Sequence, residues 1–280
     1  MFLDCTFIAT KRAYNKRAME NSWHHPVRAK LQAGEAVVGV TMTTPSIEAA
    51  ALAATLGFDF LWVEMEHSPI TLETLRSIVL ATRALPAAVF ARVPVIELWT
   101  AKRVMDQGVS GVIFPFASTP DRARTAAAAC RYPPVGKRGS GAGLATFTWP
   151  EPDNYFDSAD KNMLTICVIE EAVAVDNIEE IAATPGVDVL FIGTSDLSFS
   201  LGLRGRQNEP LLDDYIAKVV AAGRKHGKFL GRPAWTPEHI AQYREKGFQF
   251  FQSQTELGLM RLGAKALGLK EVALNPRSLY

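Results

Sequence analysis

The chain has little histidine and cysteine, five and three residues respectively, and apart from the adjacent His24 and His25 they lie far apart in the sequence. Cys5, Cys130 and Cys167 make no C-x-x-C pair, which excludes a disulfide framework and a zinc cluster and fits a reducing, cytoplasmic compartment. Net charge is nearly absent as well. Thirty Lys+Arg against 29 Asp+Glu leave +1, which speaks against electrostatic binding of nucleic acid or an anionic membrane. No apolar run reaches the roughly 18 residues that a membrane span needs. The opening MFLDCTFIATKRAYNKR is interrupted by Asp4, and its apolar part precedes the basic residues, the reverse of a secretory signal. Phosphate-cradling loops are missing too. Gly139, Gly141 and Gly143 neither follow a strand nor open a helix, so they make no dinucleotide fingerprint. Gly231-Arg232-Pro233-Ala234 and Gln252-Ser253-Gln254-Thr255 lack the glycine-rich turn that holds a sugar phosphate in barrels.

What the chain does have is apolar bulk, 48% over 280 residues, enough for one large α/β core. Short β-rich runs fall at 36–41, 60–66, 88–94, 111–116, 165–171, 189–196, 228–234 and 248–255. Helix-like segments separate them at 47–56, 72–82, 98–107, 120–130, 176–183, 213–226, 237–245 and 256–267. Eight strands alternating with helices predict a closed, parallel eight-stranded β/α (TIM) barrel, whereas a doubly wound open sheet usually has five or six. Thr71 and Thr236 are helix caps, and Gly57, Gly108, Gly186, Gly227 and Gly247 are helix-ending glycines. The expected organisation is an N-terminal extension over 1–25 and one barrel domain over 26–280 with its C-terminal helix. The connection from Ala117 to Leu164 is unusually long, and its prolines and glycines exclude a continuous helix.

Three of the runs end in acids. Leu61-Trp62-Val63-Glu64-Met65-Glu66-His67 delivers two carboxylates and an imidazole, and the fifth and sixth runs end at Glu170 and Asp196. Acids at the C-terminal ends of barrel strands are the layout of a barrel active site, although any single one also reads as a helix cap or surface ion pair. On strand alternation Glu64 and Glu66 share a face, as do Val168 and Glu170, and Ile192, Thr194 and Asp196. Glu170 and Asp196 lie one β/α unit apart, and such a carboxylate pair suits a magnesium- or manganese-type cation completed by water and a chelating substrate. Arg92, near the end of an apolar strand, reads either as a buried partner of Glu64 or Glu66 or as a clamp for a carboxylate or keto oxygen. Trp62, Phe114, Phe191 and Phe199 read as core. No lysine stands at an inward strand end, which disfavours a Schiff-base aldolase.

At these residues the chain resembles the HpcH/HpaI aldolases, divalent-metal-dependent pyruvate aldolases. The markers are Glu64-Met65-Glu66-His67, Arg92-Val93-Pro94, Arg131-Tyr132-Pro133-Pro134-Val135-Gly136-Lys137-Arg138-Gly139, Ile169-Glu170, Asp176-Asn177, Gly186-Val187-Asp188 and Phe191-Ile192-Gly193-Thr194-Ser195-Asp196-Leu197-Ser198. The resemblance implies Glu170 and Asp196 as ligands of Mg, Mn or Co. It implies His67 as the proton-moving histidine, Glu66 as its supporting carboxylate and Arg92 as the holder of the pyruvyl oxygens. Gly193, Thr194 and Ser195 would meet the pyruvate carboxylate. Glu64 would be a relay carboxylate, in a position where the family usually has the shorter aspartate. Val168 replaces a usual glutamine, and Thr194-Ser195 a usual Pro-Ala. The implied reaction is reversible cleavage of a 4-hydroxy-2-oxo acid to pyruvate and an aldehyde. Oxaloacetate decarboxylation or acyl-CoA carbon–carbon cleavage stand as alternatives on the same metal enolate. The family also implies a homo-oligomer, a hexamer exchanging C-terminal helices.

Overall fold

The computed structural model describes residues 25–149 and 155–270. Most of the expected N-terminal extension, Cys5 and the tail beyond residue 270 lie outside the described residues. Eight strands, β1 (Val37–Met42), β2 (Phe60–Glu64), β3 (Ala88–Arg92), β4 (Gly111–Phe114), β5 (Leu164–Ile169), β6 (Val189–Ile192), β7 (Phe229–Pro233) and β8 (Phe250–Thr255), close into a barrel in chain order. Every neighbouring pair is parallel, including β1 with β8.

The barrel interior is filled by large rings set against residues without a side chain. Phe60 stacks on Phe250 at 4.5 Å and on Phe90 at 5.1 Å between ring centres. A Cβ at Gly39 would stand 2.0 Å from the Phe60 ring, and one at Gly111 2.6 Å from the Phe90 ring. The two rings therefore occupy the volume that side chains on β1 and β4 would take. Trp62 and Phe191 form the next level, 5.0 Å apart, and above them the inward positions turn polar.

The helix Pro26–Gln32 closes the opposite end, with Val27 and Leu31 packed into the interior cluster. Sequence reading did not anticipate this helix, nor Tyr155–Asn162 and Thr194–Ser200. The sixth run is shorter than expected. It ends at Ile192, so Thr194 and Asp196 do not share a strand face with it; they open a helix capped by Gly193. Thr-Ser-Asp is a helix-opening composition, and an acid in the first turn faces the positive end of the dipole. Phe199, expected in the core, is 59% exposed on that helix. The long connection stays on the N-terminal rim of the barrel. Lys137 N–H donates to Ala128 O, and Arg76 reaches both Gln107 O and Leu144 O. Residues 131–149 thus pack beside the turn that enters β4, far from the strand ends that carry the acids.

His25 caps the plug helix. Its Nδ1 accepts from Val27 N–H at 3.1 Å and Arg28 N–H at 3.4 Å, so Nε2 carries the proton and lies 2.8 Å from Ser110 Oγ. Burial foremost, then the Arg28 charge, pushes its pKa from 6.5 down to about 3. An unfolded chain binds a proton below pH 6.5 that the native one refuses until about 3. Stability is therefore undiminished above the unfolded value and falls by up to about 1.4 kcal/mol per pH unit as the solution is acidified across that window. His25→Asn keeps a capping oxygen without an ionisable ring. The drop in melting temperature between about pH 7 and pH 5 is expected to be smaller in this variant than in the parent. Equal drops would show that His25 contributes no proton linkage.

Candidate active site

The last residue of β2, Glu64, is 2% exposed and accepts hydrogen bonds on both oxygens. Arg92, its partner in the β2–β3 register, donates from Nε to Oε2 at 2.6 Å, with Nη2 also 2.6 Å from that oxygen. Trp62 Nε1 donates to the same oxygen at 3.3 Å. Oε1 accepts from the backbone N–H groups of Glu66 at 2.8 Å and His67 at 3.0 Å. Both oxygens of this carboxylate are thus engaged by donors from β2, β3 and the turn beyond. The turn that follows is tied further by Ser68 Oγ, which donates to Glu64 O.

Glu66 lies beyond the strand, in that turn, so it does not share a strand face with Glu64. It nevertheless meets the same arginine, with Oε2 3.2 Å from Arg92 Nη1, an ion pair without hydrogen-bond alignment. The His67 imidazole is 66% exposed, and its Nε2 stands 3.6 Å from Glu66 Oε2. The carboxylate facing the imidazole is thus Glu66, while Glu64 holds only the His67 backbone. Both readings of Arg92 meet here: it is the half-buried partner of Glu64 and Glu66, and it stands at the strand-end rim where a clamp would.

Glu170 lies immediately after β5 and is 2% exposed. Its Oε1 accepts from Phe116 N–H at 2.6 Å, a donor presented by a left-handed backbone at Phe116, φ 50°. That conformation is costly for a bulky residue and is held where it serves the carboxylate. Gly193 flanks the other side: a Cβ there would lie 2.9 Å from both Glu170 Cβ and Oε2. Val168, the inward residue below, makes the floor apolar. Burial foremost, with the charges of Asp196 and Glu66 adding, pushes the Glu170 pKa up to about 7 against the opposing Phe116 N–H and Arg92. Burial also raises Glu66, with Arg92 and His67 opposing and Glu64 and Asp196 adding. Asp196 itself is exposed in the first turn of its helix. Thr194 is buried and Ser195 exposed in the same turn.

The rim is short of positive charge. Glu64, Glu66, Glu170 and Asp196 surround the single guanidinium of Arg92. Among the described residues no group of three or more His, Cys, Asp or Glu is arranged to hold a metal by itself. Glu170 and Asp196 provide two hard oxygen donors, and a site that keeps open positions for water and substrate needs few more from protein. The residues present fit a divalent cation of that kind. Sequence reading missed Trp62 and Phe116 as supports of the acids. Trp62 was legible, since it sits two residues before Glu64 and so on the same inward face. The Phe116 donor depends on a backbone twist that has no sequence signal.

The HpcH/HpaI aldolase/citrate lyase pattern matches residues 42–261, nearly the whole barrel. The chain belongs to this family. It is 35% identical over 211 residues to a 5-keto-4-deoxy-D-glucarate aldolase of Salmonella arizonae, covering 75% of this chain and 82% of that one. It is 33% identical to a 2-dehydro-3,6-dideoxy-6-sulfogluconate aldolase of Pseudomonas putida, covering 85% and 93%. A crystal structure of an HpcH/HpaI aldolase/citrate lyase family protein from Burkholderia cenocepacia superposes with a TM-score of 0.80 at 33% identity, covering 87% and 98%. The protein is an aldolase of this family, a carbon–carbon lyase. The HpcH/HpaI family is metal-dependent in general. Among the described residues no helix is long and apolar enough to cross a membrane.

Gly193 offers a direct check on the Glu170 side of the site. Gly193→Ala is expected to displace the Glu170 carboxylate without unfolding the barrel, and to lower turnover by about 10²-fold, the scale of a small misplacement of a reacting group. Turnover close to the parent in a variant that melts normally would show that Glu170 does not need that space.

Proposed function

We propose that the protein cleaves an acidic, sugar-derived 4-hydroxy-2-oxo acid to pyruvate and an aldehyde, using Mg, Mn or Co held by Glu170 and Asp196. The observation that carries this reading is the excess of carboxylates at one rim, with Glu170 buried and its pKa raised to about 7 in the absence of a cation. The substrate class follows the two aldolases of Salmonella arizonae and Pseudomonas putida, both of which act on acids of this kind.

A divalent cation bound there supplies Lewis acidity toward the keto and carboxylate oxygens of the pyruvyl half. The protein's own residues do the rest. His67 takes the proton of the C4 hydroxyl, the C3–C4 bond breaks, and the aldehyde leaves. The electron pair moves toward the keto oxygen, where the Arg92 guanidinium meets the growing negative charge. Protonation at C3 then gives pyruvate. Glu66 orients the exposed His67 ring. The opening turn at Thr194 and Ser195 offers backbone N–H groups to the pyruvate carboxylate, while Gly193, whose own N–H donates to Ile169 O, brings the turn close. The barrel works as a homo-oligomer, a hexamer on the family pattern. The helix Glu256–Ala266 supports this, since it buries none of its residues and exposes Leu257, Met260 and Leu262. Cys130 and Cys167, both free and buried, suit the cytoplasm.

Pyruvate release from a panel of 4-hydroxy-2-oxo acids is expected to stop on exhaustive chelation and to return with Mg, Mn or Co; full activity after chelation would overturn the metal assignment. In the same assay Arg92→Lys keeps the charge and loses the planar fork, and turnover is expected to fall by at least about 10²-fold. A lysine variant as fast as the parent would reduce Arg92 to a structural partner of Glu64.

A further inference from the structure

Trp62 is 1% exposed, inside a barrel level that any large apolar side chain could fill. A buried indole N–H requires an acceptor. Here the acceptor is Glu64 Oε2, the same oxygen that takes Arg92 Nε and lies 2.6 Å from Nη2. The indole ring also lies under the guanidinium, whose Cζ is 5.7 Å from the ring centre, within cation–π range. Trp62 therefore touches both members of the Glu64–Arg92 pair. Phe191 packs against the indole, 5.0 Å away and tilted at 58°, and touches neither Glu64 nor Arg92 by any hydrogen bond.

We propose that Trp62 is a positioning residue for Arg92, acting through Glu64 Oε2 and through its own ring face; this rests on Arg92 meeting the pyruvyl oxygens. The guanidinium has five N–H groups in one plane. The Nε–Nη2 edge is turned to Glu64, and the Nη1–Nη2 edge, with Nη1 3.2 Å from Glu66 Oε2, is the one left to share with substrate. Which edge faces which partner is decided by where Oε2 sits. Without the indole donor that oxygen keeps Arg92 as its only side-chain donor, and the carboxylate can rotate toward the Glu66 and His67 N–H groups on Oε1. The donors on Glu64 also share its negative charge, which leaves more of the Arg92 charge for an oxygen opposite. A leucine or phenylalanine at this place would fill the barrel and do neither.

The test separates positioning from packing. Trp62→Phe keeps an aromatic ring and removes the N–H. Phe191→Leu loosens the same interior level and leaves the N–H in place. Exchange of pyruvate methyl protons in heavy water reads enolate formation without an aldehyde, and a melting curve accompanies each variant. Trp62→Phe is expected to lower the maximal exchange rate about tenfold, the scale of one hydrogen bond to a charged group, with little change in the pyruvate KM. Phe191→Leu is expected to lower the melting temperature while holding the exchange rate within about twofold. In a Glu64→Ala background, Trp62→Phe is expected to cost less than about twofold more, because the two act as one unit. The 15N signal of Arg92 Nε–H, which needs no turnover, is expected to move in Trp62→Phe and stay in Phe191→Leu. Equal rate losses in both single variants, full additivity with Glu64→Ala, or an unmoved Arg92 signal would each overturn the role of Trp62. A parent enzyme without methyl exchange would instead overturn the aldolase chemistry, and the Arg92 signal would still decide Trp62.

Discussion

The pairing of Glu64 with Arg92 organises the whole rim. A carboxylate 2% exposed at a strand end is tolerable only if its charge is matched and its lone pairs are filled, and both conditions are met here. The β2–β3 register puts the two residues side by side. The interior level below adds the indole donor, and the turn above adds two backbone N–H groups. That turn in turn carries Glu66 and His67. Removing Glu64 would thus release an arginine, loosen a turn and strand a buried indole at once. The carboxylate that faces the imidazole is Glu66, while Glu64 reaches the Arg92 Nε and the backbone of the turn.

On the other side of the mouth the opposite condition holds. Glu170 receives one backbone donor, and the charges of Asp196 and Glu66 add to its burial against that of Arg92. Two neighbouring halves of one rim are therefore electrostatically different: one is internally neutralised, the other is left wanting positive charge. The division follows from strand position. Arg92 is the arginine at the end of β3 and is already shared between Glu64 and Glu66. No cation of β5 or β6 is turned toward Glu170. The divalent cation proposed above would complement such a half-rim.

The barrel and its acids were largely legible in the sequence because both are written in short-range patterns. Period-two apolar runs ending in Glu or Asp, separated by capped helices and glycine-ended turns, place strands, inward faces and functional ends together. Gly57, Gly108, Gly186, Gly227 and Gly247 all take positive φ, and Thr71 and Thr236 both cap helices. What could not be read depends on geometry between distant segments. The run through Asp196 looked like a strand because Val-Leu-Phe-Ile is one; the strand breaks at Gly193, where a side chain would meet Glu170 and where Thr-Ser-Asp opens a helix. The course of 131–149 is fixed by the Lys137 N–H on Ala128 O and by Arg76, which ties Leu144 O to Gln107 O in the turn before β4; neither alters the composition of the loop. Phe199 was misread because an aromatic in an apolar stretch is usually core, yet its helix has one face turned out.

The location of that long connection bears on how the site selects substrate. Because 131–149 stays on the N-terminal rim, what rises above Glu170, Arg92 and His67 from the β4 and β2 ends is short: the left-handed turn at Phe116 and the tied turn at 64–68. On the function proposed above, the pyruvyl half would meet Arg92 and Glu170, whose polar atoms are fixed by the β2–β3 register, the Phe116 turn and a buried indole. The aldehyde half would meet the side where the His67 ring stands exposed. A fixed socket for one product and an open approach for the other separate two demands that conflict in a closed pocket. Enolate geometry would then be held from the interior of the barrel, and discrimination among aldehydes would be left to groups at the mouth.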